Sequence, residues 1–157
     1  MTKQSESGGV VLDMHIHDID VALWWFGKPE RIAATGLARA GLVTLVDATW
    51  IYKDGLLVQI HGAWDDNQTT FKAGFKVILE EATLEMDAAK GGVLQLLVAG
   101  AEPKNLEYDP TLAYQREIDD LIDAVATNRP ITRVTPEASG LAVSIALDEI
   151  RQIVDRA

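Results

Sequence analysis

Apolar residues near the start of the chain recur at a helical interval. Ile16, Ile19, Leu23 and Phe26 fall at i, i+3, i+7 and i+10, which predicts a helix over residues 13–26. Met14, Val21 and Trp25 form a second apolar line, so this helix is expected to be buried over most of its circumference. Gly27 and Lys28-Pro29 end it, since glycine accepts a left-handed cap and proline has no N–H to continue the ladder. The interval then shortens. Residues 31–38, 43–52, 56–64, 70–80, 82–87 and 93–98 are rich in β-branched and aromatic side chains and read as strands, with Lys53-Asp54-Gly55 as a tight hairpin turn. After Pro110 the helical interval returns, placing Tyr114, Ile118, Leu121, Ile122 and Val125 on one face. Thr135 caps a last helix with Pro136 in its first turn, and Val143, Leu147, Ile150 and Val154 are its expected buried face. Strands grouped together, rather than alternating with helices, predict an α+β fold: a largely antiparallel open-faced sheet with helices on one face.

Composition narrows this picture. A chain of 157 residues with 48% hydrophobic and 24% charged positions is expected to form one domain, residues 8–157, behind a flexible leader, residues 1–7. The formal charge of −10 repels phosphate backbones and anionic headgroups, so neither nucleic acid nor membrane is an expected partner. The polar N-terminal residues contain no signal-peptide apolar region, and no apolar run approaches the ~20 residues of a spanning helix. With no cysteine, thiolate catalysis and thiolate-held zinc are excluded, and a cytoplasmic location is the natural expectation. A sheet covered on one face and containing Trp, Ile and Val predicts association of copies through the other.

Asp13, His17, Asp20 and Trp24 lie at i, i+4, i+7 and i+11, a single stripe on an otherwise apolar helix. Unpaired buried charge is costly, so the stripe either pairs inside the core, with Asp13 capping the helix, or faces a wet cleft. In a cleft, His17 is a candidate proton carrier, because an imidazole with a pKa of ~6.5 exchanges protons near neutrality and a neighbouring carboxylate orients it.

The run from Gly8-Gly9 through Asp13, His17 and Asp20 to Trp24-Trp25-Phe26-Gly27 resembles the start of the C-terminal domain in the Gfo/Idh/MocA oxidoreductases, named for glucose-fructose oxidoreductase, inositol dehydrogenase and rhizopine catabolism. The similarity continues through a sheet with an Asp-Gly hairpin and a Trp-containing strand to a helix led by Tyr114, so it spans nearly the whole chain. It implies a C-terminal domain of the dihydrodipicolinate-reductase-like type, which binds a sugar, inositol or related polyol and builds a homodimer or homotetramer through its sheet face. It also implies NAD or NADP as cofactor of the intact protein, His17 as general acid/base, and Asp13 as the group that orients or electrostatically supports the imidazole and contacts substrate. Gly8-Gly9 and Gly91-Gly92 lack the third glycine and the βαβ context of a dinucleotide fingerprint. The dinucleotide-binding domain is therefore expected to be absent from this chain, and the chain alone is not expected to catalyse. A stand-alone binding or assembly module is the alternative of another class.

His15 opens one further alternative, a metal-dependent hydrolase using Asp13, His15 and His17. On a helix His15 and His17 stand about 200° apart at ~100° per residue, which opposes joint ligation. His61 reads as a packed, hydrogen-bonded sheet residue and Trp50 and Trp64 as core or interface. Asp65-Asp66-Asn67 reads as a solvated turn, Glu102-Pro103-Lys104 as a loop, and Tyr114 as a side chain that either locks its helix to the sheet, the favoured reading, or reaches the active site.

Overall fold

The computed structural model describes residues 7–64, 71–109, 113–131 and 135–155. The expected leader, apart from Ser7, and the Asp65-Asp66-Asn67 turn lie outside the described residues. The chain divides into two compact units, one formed by Met1–Asp65 with Pro130–Ala157 and the other by Asp66–Arg129.

In the first unit a helix α1, Ile16–Phe26, continues from a π-wound turn, Val11–His15, and precedes the strands β1, Arg31–Arg39, β2, Leu42–Ile51, and β3, Leu57–Ala63. These pair antiparallel in the order β1-β2-β3. The turn at Lys53-Asp54-Gly55 closes as expected: Tyr52 N–H donates to Leu56 O at 3.1 Å and Leu56 N–H to Asp54 Oδ1 at 3.1 Å. A helix α3, Pro136–Val154, returns to this unit, with Thr135 Oγ1 accepting from Ala138 N–H at 3.2 Å as its cap.

Alternation along the strands gives the sheet two different faces. Ala34, Val43, Val46, Ala48, Trp50 and Ile60 are buried in one core with Val10, Val11, Ile19 and the inner side of α3. The opposite face carries Ala33, Thr35, Leu37, Asp47, Leu57, Gln59 and His61, all exposed. The Trp and Val residues that suggested an exposed apolar face thus lie on the covered side.

The inner side of α3 differs from expectation. Val143, Leu147 and Val154 are exposed and Ile150 half-buried, whereas Ala142, Ile145, Ala146, Glu149 and Ile153 are buried. Bulk misleads here, because alanines let the helix approach β1 closely and a carboxylate can be buried when it is fully bonded. Gln152 fastens the same side, accepting from Ala34 N–H at 2.9 Å and donating to Ile32 O at 3.3 Å. Both bonds satisfy the outward backbone groups of an edge strand.

The second unit has its own antiparallel sheet, β4, Gly74–Ile78, β5, Thr83–Asp87, β6, Leu94–Leu97, and β7, Lys104–Leu106, in sequential order. Among the described residues the expected single sheet is two, and Lys104, expected in a loop, begins a strand and pairs with Leu96. Register puts Phe75, Met86, Leu94 and Leu106 in one row and Val77, Leu84 and Leu96 in the next, an apolar face backed by a polar row of Lys76, Glu85, Gln95 and Asn105. A helix α2, Ala113–Thr127, completes this unit. Its apolar positions Ile118, Leu121, Ile122 and Val125 are exposed, as is Tyr114, so Tyr114 does not lock the helix as expected.

Candidate functional site

The first helix begins against β2. Gly8 and Gly9 have φ of +83° and +84°, and a Cβ on Gly9 would stand 2.8 Å from the Val43 carbonyl oxygen, so only glycine permits this entry. Val10 and Val11 are fully buried, and the chain then winds as a π turn to His15 before α1 proper begins at Ile16. A π turn holds one residue more than an α-helical turn, and such insertions recur at functional sites.

Asp13, His17, Asp20 and Trp24 are all exposed, Trp24 at 74%. The stripe faces solvent rather than the core. Asp13 is not a cap, since no side-chain cap bond is made at this helix start. None of Asp13, His17 and Asp20 makes a side-chain hydrogen bond to another described residue, so their polar atoms remain open to an incoming group. Val21 and Trp25, expected to be buried, are 40% and 41% exposed, so the open side of the helix is wider than the apolar pattern suggests. Burial raises the Asp18 carboxyl above its ordinary value even though part of the side chain reaches solvent, while the nearby imidazoles of His15 and His17 act in the opposite direction.

His15 occupies the other side. It is fully buried, and its Nε2 lies 2.8 Å from Glu149 Oε2. The second oxygen, Oε1, accepts from Trp50 Nε1–H at 2.9 Å. Gly62 lies against the imidazole, where a Cβ would meet His15 Nδ1 at 3.3 Å. The ligand set Asp13, His15 and His17 is therefore not assembled, because the middle residue is turned into the core. Among the described residues no group of three or more His, Cys, Asp or Glu is placed to hold a metal ion.

Sequence reading missed Glu149 and the bonding role of Trp50. A signal was present: Glu149 sits in helical register with Ala142, Ile145, Ala146 and Ile153, a charge inside a small-apolar line. His61 is hydrogen-bonded as expected, its Nδ1 lying 2.6 Å from Asp47 Oδ1, but on the exposed face of the sheet rather than packed. Trp50 is core, and Trp64 is half-buried against it. No described residues form a phosphate cradle for a dinucleotide, since both sheets are antiparallel and no helix follows a parallel strand. Among the described residues no helix is long and apolar enough to cross a membrane.

Residues 1–85 match the family model of the GFO/IDH/MocA C-terminal domain. Among solved structures the chain is similar to a UDP-N-acetylglucosamine 3-dehydrogenase from Acidithiobacillus ferrooxidans, with a TM-score of 0.81 at 19% identity, covering 98% of this chain and 50% of that one. A biliverdin reductase from Synechocystis, solved with biliverdin and NADP+, gives a TM-score of 0.75 at 16% identity and covers 96% and 48% of the two chains. A levoglucosan dehydrogenase, solved with NADH and levoglucosan, gives 0.74 at 13% identity, covering 96% and 49%. The chain thus spans about half the length of these structures. Comparison with curated proteins gave no match.

Proposed function

We propose, from the premise that this chain belongs to the GFO/IDH/MocA family as a C-terminal domain, that it binds substrate and builds the oligomer of an NAD- or NADP-dependent oxidoreductase acting on a sugar, inositol or related polyol. The observation that carries the reading is the pair Asp13 and His17, one turn apart on the exposed stripe of a helix whose other side is packed. When bound, the nicotinamide supplies the hydride acceptor, held by a dinucleotide-binding domain that the described residues do not contain.

This chain's part is the proton. His17 takes the hydroxyl proton of a secondary alcohol on one of its imidazole nitrogens as the carbonyl forms, and returns it in the reverse direction. Asp13 supports the imidazole electrostatically as it takes up the proton and accepts from a neighbouring substrate hydroxyl, which suits a ligand carrying several hydroxyls. Asp20 and Trp24 extend the same stripe toward the helix end, where an indole face can cover the apolar side of a sugar ring. The family resemblance, rather than an exposed apolar patch, supports the open face of β1-β2-β3 as the surface for a partner copy, in a homodimer or homotetramer.

The test supplies the native full-length protein with NAD or NADP and a panel of sugars, inositols and polyols, and follows nicotinamide absorbance. Reduction with at least one panel member, and none by this chain alone, is the expected result. Absence of hydride transfer with every member and both cofactors would overturn the reading.

A further inference from the structure

We infer that Glu149 is a positioning residue for Asp13 and His17, acting through His15. This rests on the reading of that pair given above.

His15 and Glu149 are the two fully buried polar side chains among the described residues, and they come from elements far apart in sequence, the π turn and α3. A leucine in place of Glu149 would fill the same core without the desolvation cost of a carboxylate. The carboxylate instead spends both oxygens on fixed donors, His15 on one side and Trp50 of β2 on the other. His15 Nδ1 has no partner, and an orphaned acceptor is better tolerated in a core than an orphaned N–H, so the ring proton belongs on Nε2, pointing at Glu149.

The π turn is therefore held at both ends. At its entry the Gly9 backbone lies against the Val43 carbonyl, and at its exit His15 is clamped between Glu149 and Gly62. Asp13 lies two residues before the clamp and His17 two residues after it, both on the opposite, exposed side. With the clamp and the glycine entry fixed, the direction in which that side faces is fixed too. Releasing His15 lets the turn rewind, which rotates Asp13 relative to His17.

Backbone amide hydrogen exchange and imidazole 15N spectra of this chain test the inference. Glu149→Leu keeps an apolar core but removes the clamp. Exchange across Val11–His15 and at His17 should accelerate about tenfold or more beyond whatever acceleration the loss of global stability gives β2 and β3, the scale of one lost hydrogen bond to a charged group. Glu149→Gln should restore slow exchange only in part, because its carboxamide oxygen still accepts from Trp50 and its NH2 donates to His15, but an unpaired Nδ1–H is left in the core. The ring proton must then move to Nδ1, a tautomer change that merely filling the core would not produce. Trp50→Phe, which leaves the His15 contact in place, should produce a smaller acceleration in the same segment. Unchanged exchange in the turn, or uniform acceleration of the whole first unit in both Glu149→Leu and Trp50→Phe, would overturn the inference. These readouts report geometry alone, so a catalytic failure of Asp13 and His17 would leave them unchanged.

Discussion

His15 and His17 are separated by one residue and meet opposite fates. His15 is fully buried and bonded to Glu149, whereas His17 is exposed without a side-chain hydrogen bond to any described residue. The same residue type thus serves as a fastening on the inner face of one helix and stands exposed on the outer face. Identity and proximity in sequence do not assign a role; the half-turn between the two positions does.

The inner face should carry the largest stability effects. Glu149→Ala strands a buried imidazole and an indole N–H, and is expected to destabilise the first unit by ~3–5 kcal/mol, measured by denaturant unfolding. A loss below ~1 kcal/mol would mean the buried network contributes little. Trp50→Phe removes one donor and should cost ~1–3 kcal/mol in the same assay. On the outer face, His17→Ala should change stability by no more than ~0.5 kcal/mol, as for an exposed side chain that makes no side-chain hydrogen bond to a described residue.

Asp18, near the boundary between the faces, sharpens the contrast through pH. Burial raises its carboxyl above 3.8, so the folded chain holds that proton more tightly than the unfolded chain does. Its contribution to stability is best below that value, declines as pH rises through the folded pKa, and stays unfavourable at neutrality. Asp18→Asn should therefore gain stability relative to wild type as pH rises from 3 to 7, seen as a growing difference in thermal midpoint, and a difference that shrinks with pH would contradict this. His61→Ala on the solvent side of the sheet should likewise have a small effect, ~0–1 kcal/mol, since its pair with Asp47 is exposed on both sides.

The outer face was legible in the sequence because a polar stripe on an apolar helix has a period, and Asp13, His17, Asp20 and Trp24 keep it. The strands were legible from β-branched and aromatic runs closed by an Asp-Gly turn, although β7, only Lys104–Leu106, is too short to carry such a signal. The pairing within the inner network was not legible, although the charge in the small-apolar line of α3 was a signal for Glu149 itself. Glu149 lies more than 130 residues from His15, and nothing local shows that a glutamate in α3 meets a histidine in the first helix. The buried side of α3 was misjudged for a related reason, since side-chain bulk pointed to Val143 and Leu147 while the close approach of helix to sheet selected Ala142 and Ala146. The division of the strands into two sheets likewise depends on pairing, which periodicity within a strand does not encode.

The contrast between the two histidines is tested most directly by nicotinamide reduction in the native full-length protein, comparing wild type with His17→Ala and recording each thermal midpoint beside the rate. Loss of turnover by about a hundredfold or more, with the midpoint unchanged, is the expected result for a general acid/base on an exposed helix face. Turnover within a few-fold of wild type in a folded His17→Ala protein would contradict it and leave the exposed stripe a surface for binding or assembly.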